Sequence, residues 1–94
     1  MGFHPMKYEP RWSALALQDL LSLPRISADR ITKKTLWFAE QKNPLSFAKV
    51  LGGRYDGVYR FRVGDYRVLF EVFPDRCISI LMVLRVKHRR DAYE

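Results

Sequence analysis

The sequence is poor in the features that build disulfide frameworks, membrane spans and metal sites. Its 94 residues include one cysteine, Cys77, so no disulfide can form within the chain and no cysteine-based metal site can be built. Cys77 lies in the apolar run RCISILMVL and is predicted to be a small buried or strand-edge residue, not a nucleophile. No run approaches the roughly 18 apolar residues of a membrane helix, and no signal-peptide pattern is present. We therefore expect a cytoplasmic protein without a membrane partner, metal or cofactor.

Acidic residues are also in short supply. The chain carries 17 lysines and arginines against 10 acidic residues, a net charge of +7, which favours nucleic acid or an acidic protein as a partner. A hydrophobic content of 48% argues against disorder, and the length allows a single domain over residues 1–94. Residues 1–5 are expected to be an alternative translation start or a remnant of cloning.

The first half of the sequence predicts a short strand and two helices. The strand MKYE (Met6 to Glu9) is expected to end at Pro10, and Ser13 is a predicted N-cap for SALALQDLLSL, which Pro24 ends. A second helix is predicted from Ser27 as N-cap to Lys42, packed antiparallel to the first. The apolar residues expected on the packed faces are Leu15, Leu17, Leu20, Leu21 and Leu23, then Ile31, Thr35, Leu36, Phe38 and Ala39.

The second half switches to an alternation of period two. Val58–Val63 and Tyr66–Phe73 flank Gly64-Asp65, a favoured two-residue hairpin turn. A turn at Pro74–Arg76 and a strand at Cys77–Val86 follow. The predicted fold class is therefore α+β, with two N-terminal helices packed on one face of a small antiparallel sheet.

The hairpin places three arginines on one face of this sheet. Strand alternation assigns Arg60, Arg62 and Arg67 to the face opposite the helices, and the two-residue turn sets Arg62 directly across from Arg67. Opposed like charges destabilise a strand pair by roughly 0.2–1 kcal/mol. A solvated face with Glu71 as counter-ion is one interpretation. Three guanidinium groups on one hairpin favour a second, an anion site, because their forked donors suit phosphate.

The C-terminal segment RVKHRRDAY adds groups that could transfer protons. His88 is a potential acid or base and Tyr93 supplies a phenol, both at the end of the sheet that holds the arginines. Histidine, tyrosine and several arginines on one sheet indicate metal-free phosphodiester chemistry.

These motifs resemble a known family. The run LGGRYDGVYRFRVGDYRVLFEV, a short turn and ISILMVLRVKHRRDAY are similar to the RelE/ParE superfamily of bacterial and archaeal toxins. The resemblance covers nearly the whole chain, through the YRxRxGxYR core to the closing HRRDxY. It implies the RelE-like fold, and for RelE-type members a ribosome-dependent endoribonuclease that cuts mRNA in the A site. It also implies a cognate antitoxin that wraps around the toxin and often represses the shared operon, hence contact with operator DNA through the complex.

The resemblance suggests roles for individual residues. Arg60 and Arg62 fall where RelE-type toxins place basic residues, Arg67 matches the arginine of GDYR, and Arg89 and Tyr93 match the C-terminal pair. Arg62 and Arg67 are expected to hold the phosphate, with Arg60 and Arg89 in support. Tyr93 could stack on a base or join proton transfer, and His88 is the expected general acid or base. RelE-type toxins carry lysines at the positions of Arg60 and Arg62, and arginine is a poor base.

Three functions therefore stay open. The complete basic set with His88 and Tyr93 favours an mRNA interferase. A ParE-type toxin would instead inhibit DNA gyrase without nuclease activity, and a degenerate relative would act only as an antitoxin-bound corepressor. Among the aromatic residues Trp12, Trp37, Phe38 and Tyr55 most are expected in the core, and any on a helix surface could dock an antitoxin helix.

Overall fold

The computed structural model describes residues 7–91, so the expectations for residues 1–6 and for Tyr93 lie outside it. Two α-helices, five strands and two short 3-10 helices form within this range. The strands are β1 (Lys7–Trp12), β2 (Lys49–Val50), β3 (Tyr59–Val63), β4 (Tyr66–Asp75) and β5 (Ile78–His88). The helices are α1 (Ala14–Leu21) and α2 (Arg25–Ala39), and the 3-10 helices are Pro44–Phe47 and Gly53–Tyr55. In this part of the chain, no helix has the length and apolar character to cross a membrane.

The helix boundaries confirm one cap and correct another. The Ser13 hydroxyl accepts a hydrogen bond from the Ala16 amide at 3.1 Å, as predicted for an N-cap. The N-cap of the second helix is Pro24, three residues before the expected Ser27, because the carbonyl of Pro24 already accepts from the Ala28 amide at 3.0 Å. The helix ends at Ala39, not Lys42, because its last turn tightens: the Gln41 amide donates to the carbonyl of Phe38, three residues earlier, at 3.1 Å.

The leucines of α1 are less buried than their spacing predicted. Ala16 is fully buried and Leu20 packs against the core, but Leu15, Leu17 and Leu21 are exposed, Leu21 by 86%. The expectation for these three leucines was wrong because the eight-residue helix turns its Ala16 side toward the sheet. Leu36 of α2 is likewise 49% exposed, whereas its neighbours in the predicted set are buried.

The sheet has the order β1-β5-β4-β3-β2. Neighbours from β2 to β5 run antiparallel, and β1 is added parallel to β5, so the predicted α+β fold is confirmed with one parallel pair at its edge. β1 continues through Pro10, because an edge strand can present a residue without an amide proton to solvent. The β3–β4 register is the predicted one, with Arg62 opposite Arg67.

The turn after β4 differs from its prediction. β4 runs through Pro74 to Asp75, and the turn consists of Arg76 and Cys77, with Arg76 at a φ of 60°. The predicted turn at Pro74–Arg76 is thus shifted by a residue, and β5 starts at Ile78. Cys77 is exposed in this turn, so the expectation of a buried or strand-edge cysteine was wrong.

The core lies between α2 and the hairpin. Phe38 stacks on Phe61 and Phe61 on Phe70, each pair with ring centroids 4.3 Å apart. Buried aliphatic residues of α2, β4 and β5 surround these rings. Trp12 and Tyr55 are half-buried, and Trp37 is 43% exposed on α2. Close packing of these side chains holds β3 and β4 in place and therefore fixes the positions of the residues on their opposite face.

Candidate active site

Besides Arg85, which pairs with Leu69 and is bound to Asp19, the sheet face turned away from the helices carries five cationic residues in two cross-strand rows. In one row Lys49 of β2 faces Arg60 of β3, and Arg60 faces Leu69 of β4. The other row is Arg62, Arg67 and Lys87 from β3, β4 and β5. We call this set (Lys49, Arg60, Arg62, Arg67 and Lys87) the arginine face. Paired residues of antiparallel strands share a face, so the register places all five side chains on one surface.

The arginine face has little internal charge compensation. Among residues 7–91, the ion pairs are Arg11–Glu9, Arg85–Asp19 and Arg89–Asp65, so Arg60 and Arg62 have no carboxylate partner in the part of the chain that the structure describes. Glu71, the counter-ion of the alternative interpretation, forms no ion pair with either. The Nε of Arg60 is buried without a hydrogen-bond partner among the described residues. Buried donors in native proteins are normally paired, so this nitrogen is an exception among the described residues.

Arg67 ties the hairpin to the segment after β5. Its Nη1 donates to the carbonyl of Arg89 at 3.2 Å, and the Arg89 amide donates to the carbonyl of Asp65 at 2.7 Å. The Arg89 guanidinium lies 3.6 Å from the Asp65 carboxylate, with both side chains more than 60% exposed. Such an exposed pair contributes little energy, so Arg89 remains available near the hairpin turn.

His88 lies on the other side of the sheet. It pairs with Tyr66, whose side chain shares the helix-facing surface with Val68, and the two rings meet edge to face at 5.2 Å. Its Nδ1 accepts a hydrogen bond from the Arg90 amide at 3.1 Å, which leaves the proton of the neutral ring on Nε2. The structure therefore brings Arg60, Arg62 and Arg67 together, sets Arg89 at the turn, and separates His88 from them by the sheet.

The sequence did not lead us to place two lysines, Lys49 and Lys87, on the arginine face. Lys49 belongs to a two-residue strand that follows a 3-10 helix, and no periodicity is readable over so short an element. Lys87 could have been found by extending the alternation of β5 one residue beyond Val86. An ammonium group exchanges its proton far more readily than a guanidinium.

Arg85, the first residue of the C-terminal segment RVKHRRDAY, has a structural partner. Its Nε and Nη2 donate to the Asp19 carboxylate at 2.9 and 3.0 Å, and the Val86 amide donates to the same carboxylate at 2.8 Å. Partial burial alone would raise the pKa of Asp19, but these hydrogen bonds and the charge of Arg85 outweigh it and hold that pKa below its ordinary value. Asp19 thereby anchors α1 to the edge of β5 that β1 leaves unpaired.

No group of three or more histidine, cysteine, aspartate or glutamate side chains within residues 7–91 is arranged to hold a metal ion. What the described residues do offer is a rigid, cationic sheet surface whose forked donors can engage the non-bridging oxygens of a phosphate.

Comparison with known proteins identifies the family. The family model for the ParE toxin of type II toxin–antitoxin systems matches residues 11–93 of this chain. The toxin RelG of Mycobacterium tuberculosis is 32% identical over 91 residues, which cover 94% of this chain and 98% of RelG.

Solved structures show the same fold. The RelBE2 toxin–antitoxin complex of Mycobacterium tuberculosis aligns with a TM-score of 0.72 and 29% identity, over 89% of this chain and all of the matched chain. The archaeal RelE–RelB complex of Pyrococcus horikoshii aligns with a TM-score of 0.67 and 28% identity, over 93% of this chain and all of that one. A family model that spans most of the chain, a full-length relative and a shared fold lead to one conclusion: the chain belongs to the RelE/ParE superfamily of type II toxin–antitoxin toxins.

Proposed function

We propose that this toxin is a ribosome-dependent, metal-independent endoribonuclease that cleaves translated mRNA in the A site. The observation that carries the proposal is the arginine face, where Arg60, Arg62 and Arg67 lie together and the first two have no carboxylate partner among the described residues. A surface of this kind stabilises a phosphate whose charge grows during reaction.

The proposed reaction is attack of a ribose 2′-OH on the adjacent phosphate. The bond from the 2′-oxygen to phosphorus forms and the bond to the 5′-oxygen breaks, which leaves a 2′,3′-cyclic phosphate and a 5′-OH. The proton lost by the 2′-OH is balanced by one delivered to the 5′-oxygen. Arg62 and Arg67 bind the non-bridging oxygens, and Arg60 and Arg89 add positive potential.

Proton transfer needs a group other than arginine, whose pKa is too high for a base. His88 was the expected candidate, but its ring lies across the sheet beside Tyr66. Lys87 lies on the arginine face directly opposite Arg67. The arrangement favours Lys87, with Tyr93 retained from the family motif, over His88. A His88→Ala variant should then keep most of its cleavage rate on programmed ribosomes, and a Lys87→Ala variant should lose it.

The proposed partners are an antitoxin, the ribosome with its mRNA, and operator DNA through the antitoxin complex. Both relatives with the same fold were solved as toxin–antitoxin complexes. The exposed leucines of α1 and Trp37 of α2 are apolar surface that an antitoxin helix could cover. A net charge of +7 would speed association with an acidic antitoxin. Action on ribosomes places the protein in the cytoplasm.

A second candidate is inhibition of DNA gyrase, because the matching family model is that of the ParE toxin. The two functions differ in what they require of the surface. Phosphodiester cleavage needs the arginine face and a proton-transfer group, whereas a protein-binding inhibitor needs neither.

Induction in cells separates these candidates. Wild type and an Arg67→Ala/Tyr93→Ala variant would be expressed, growth followed, and an abundant mRNA examined by primer extension. The proposal predicts in-frame cuts at translated codons with wild type only. Growth inhibition without mRNA cuts, retained by the variant and accompanied by loss of gyrase supercoiling activity, would assign the toxin to gyrase instead. A protein that is harmless when expressed alone would match the corepressor.

A further inference from the structure

A second cationic cluster lies at the turn of the β3–β4 hairpin, on the side toward α2. Arg30 and Lys34, one helical turn apart, line a cavity of about 220 Å³ together with Arg62, Val63 and Gly64. We call this cavity the tip pocket. Its lining includes no carboxylate among the described residues, and the nearby Asp29 instead lines the adjoining groove along α2.

The three cations of the tip pocket are not neutralised within residues 7–91. None of Arg30, Lys34 and Arg62 takes part in an ion pair there. The Lys34 ammonium instead lies 4.2 Å from the centroid of the Trp37 ring. Like charges four residues apart on a helix destabilise it, and Arg62 brings a third. A bound anion would remove this repulsion.

The Arg30 guanidinium lies close to the hairpin turn. Gly64 has a φ of +58°, and a Cβ built there would lie 3.6 Å from Nη1 of Arg30, an ordinary van der Waals contact. The donors of this guanidinium are therefore close to the backbone of the same hairpin that carries the arginine face.

The tip pocket is continuous with the arginine face around the edge of the sheet. β2 pairs with β3 only at Tyr59 and Arg60, so within the described residues β3 has an open edge beyond Arg60. Arg62, exposed on this edge, is paired across the hairpin with Arg67 and also lines the tip pocket. An extended polyanion bound at Arg67 can pass Arg62 and reach Arg30 and Lys34 without crossing an acidic side chain of either site.

We infer that the tip pocket binds a second backbone phosphate of the RNA strand whose scissile phosphate lies on the arginine face, so that the strand bends around the open edge of β3. This inference rests on the proposed nuclease function. It adds Arg30 and Lys34 as binding residues on a helix, remote from the chemistry.

The test uses a single-stranded 2′-O-methyl RNA 12-mer, which cannot be cleaved, in equilibrium binding without ribosomes. The pocket variant is Arg30→Gln/Lys34→Gln. The matched control is Arg25→Gln/Lys42→Gln, which removes the same two charges at positions that line neither cavity. An Arg67→Gln variant reports on the arginine face, and thermal unfolding verifies that each variant is folded.

Each phosphate neutralised on single-stranded nucleic acid contributes about 0.7 to the slope of log affinity against log salt. Loss of one phosphate contact should therefore lower the slope by about 0.7 and weaken binding at 0.1 M salt by about five-fold in the pocket variant, relative to the control. Equal behaviour of the pocket variant and the control would overturn the inference. If Arg67→Gln still weakens binding in that case, the proposed function survives without the tip pocket.

Two other outcomes would also overturn it. If the wild-type protein does not bind the 12-mer, the tip pocket is not an RNA site. A hexaglutamate peptide is the second probe. If it binds the wild type as tightly as the RNA does, and if only the pocket variant loses this binding, the tip pocket is a site for an acidic protein segment.

Discussion

Asp19 is predicted to be the main electrostatic anchor of the fold, and its replacement by alanine gives a measurable loss of stability. The carboxylate accepts from the Val86 amide and from two nitrogens of Arg85, and its side chain is only 17% exposed. A partly buried hydrogen bond to a charged group contributes about 1.5–3 kcal/mol. The Arg85 pair is more exposed and adds at most about 1 kcal/mol. We expect Asp19→Ala to lower the free energy of unfolding by about 2–3 kcal/mol.

The same carboxylate makes the free energy of unfolding depend on pH. The pKa of Asp19 in the folded protein lies below its ordinary value of 3.8, so the folded state favours the ionised carboxylate. The contribution is therefore complete above about pH 5 and is lost as the pH falls through the folded pKa. Asp19→Asn keeps the shape and one acceptor, and should be less stable than wild type at pH 7. The difference in free energy of unfolding between wild type and Asp19→Asn should decrease toward zero in acid below pH 3.8.

Thermal unfolding by circular dichroism measures both effects. For a domain of this length, 2–3 kcal/mol corresponds to a fall in Tm of roughly 8–24 °C. Asp29→Ala is the matched control, because Asp29 is an exposed helix carboxylate with no ion pair among the described residues. A Tm for Asp19→Ala within 2 °C of that control, or a difference between wild type and Asp19→Asn that persists in strong acid, would refute the reasoning.

Two further substitutions test local features. The Thr35 hydroxyl is fully buried and has no hydrogen-bond partner among the described residues. Thr35→Val should therefore raise the urea midpoint and increase the free energy of unfolding by about 1 kcal/mol. A lower midpoint would mean that the hydroxyl is paired. Gly64 has a φ of +58°, so Gly64→Ala should lower the free energy of unfolding by about 1–2 kcal/mol with no steric clash, whereas Gly52→Ala, at a φ of −112°, should have a much smaller effect in the same denaturation assay.

The sequence predicted those parts of the fold that local rules determine. The two-residue turn at Gly64-Asp65 fixes a register, and the register alone places Arg62 opposite Arg67, as observed. Ser13 was identifiable because a hydroxyl before an apolar helix has a specific local partner, the Ala16 amide.

The rest depended on long-range packing. Pairing of β1 with β5 in parallel joins residues about 70 positions apart, and no local signal encodes it. The exposure of Leu21 follows from which side of a short helix meets the sheet. The distance of His88 from the arginines could have been foreseen, because it is two residues from Val86 and alternation gives both the same face. The commitment of Arg85 to Asp19 could not, since it requires α1 to lie beside β5.

The central claim, that the arginine face promotes cleavage of mRNA, is tested most directly by single-turnover kinetics on purified ribosomes with a codon in the A site. The variant is Arg60→Gln/Arg67→Gln, and Arg25→Gln/Arg54→Gln removes the same charge elsewhere. Loss of one preorganised donor to a developing charge costs about 10²–10³ in rate, so we predict at least a 100-fold slower rate for the first pair and less than a three-fold change for the control. Equal rates for the two pairs, or no cleavage by wild type, would contradict the account.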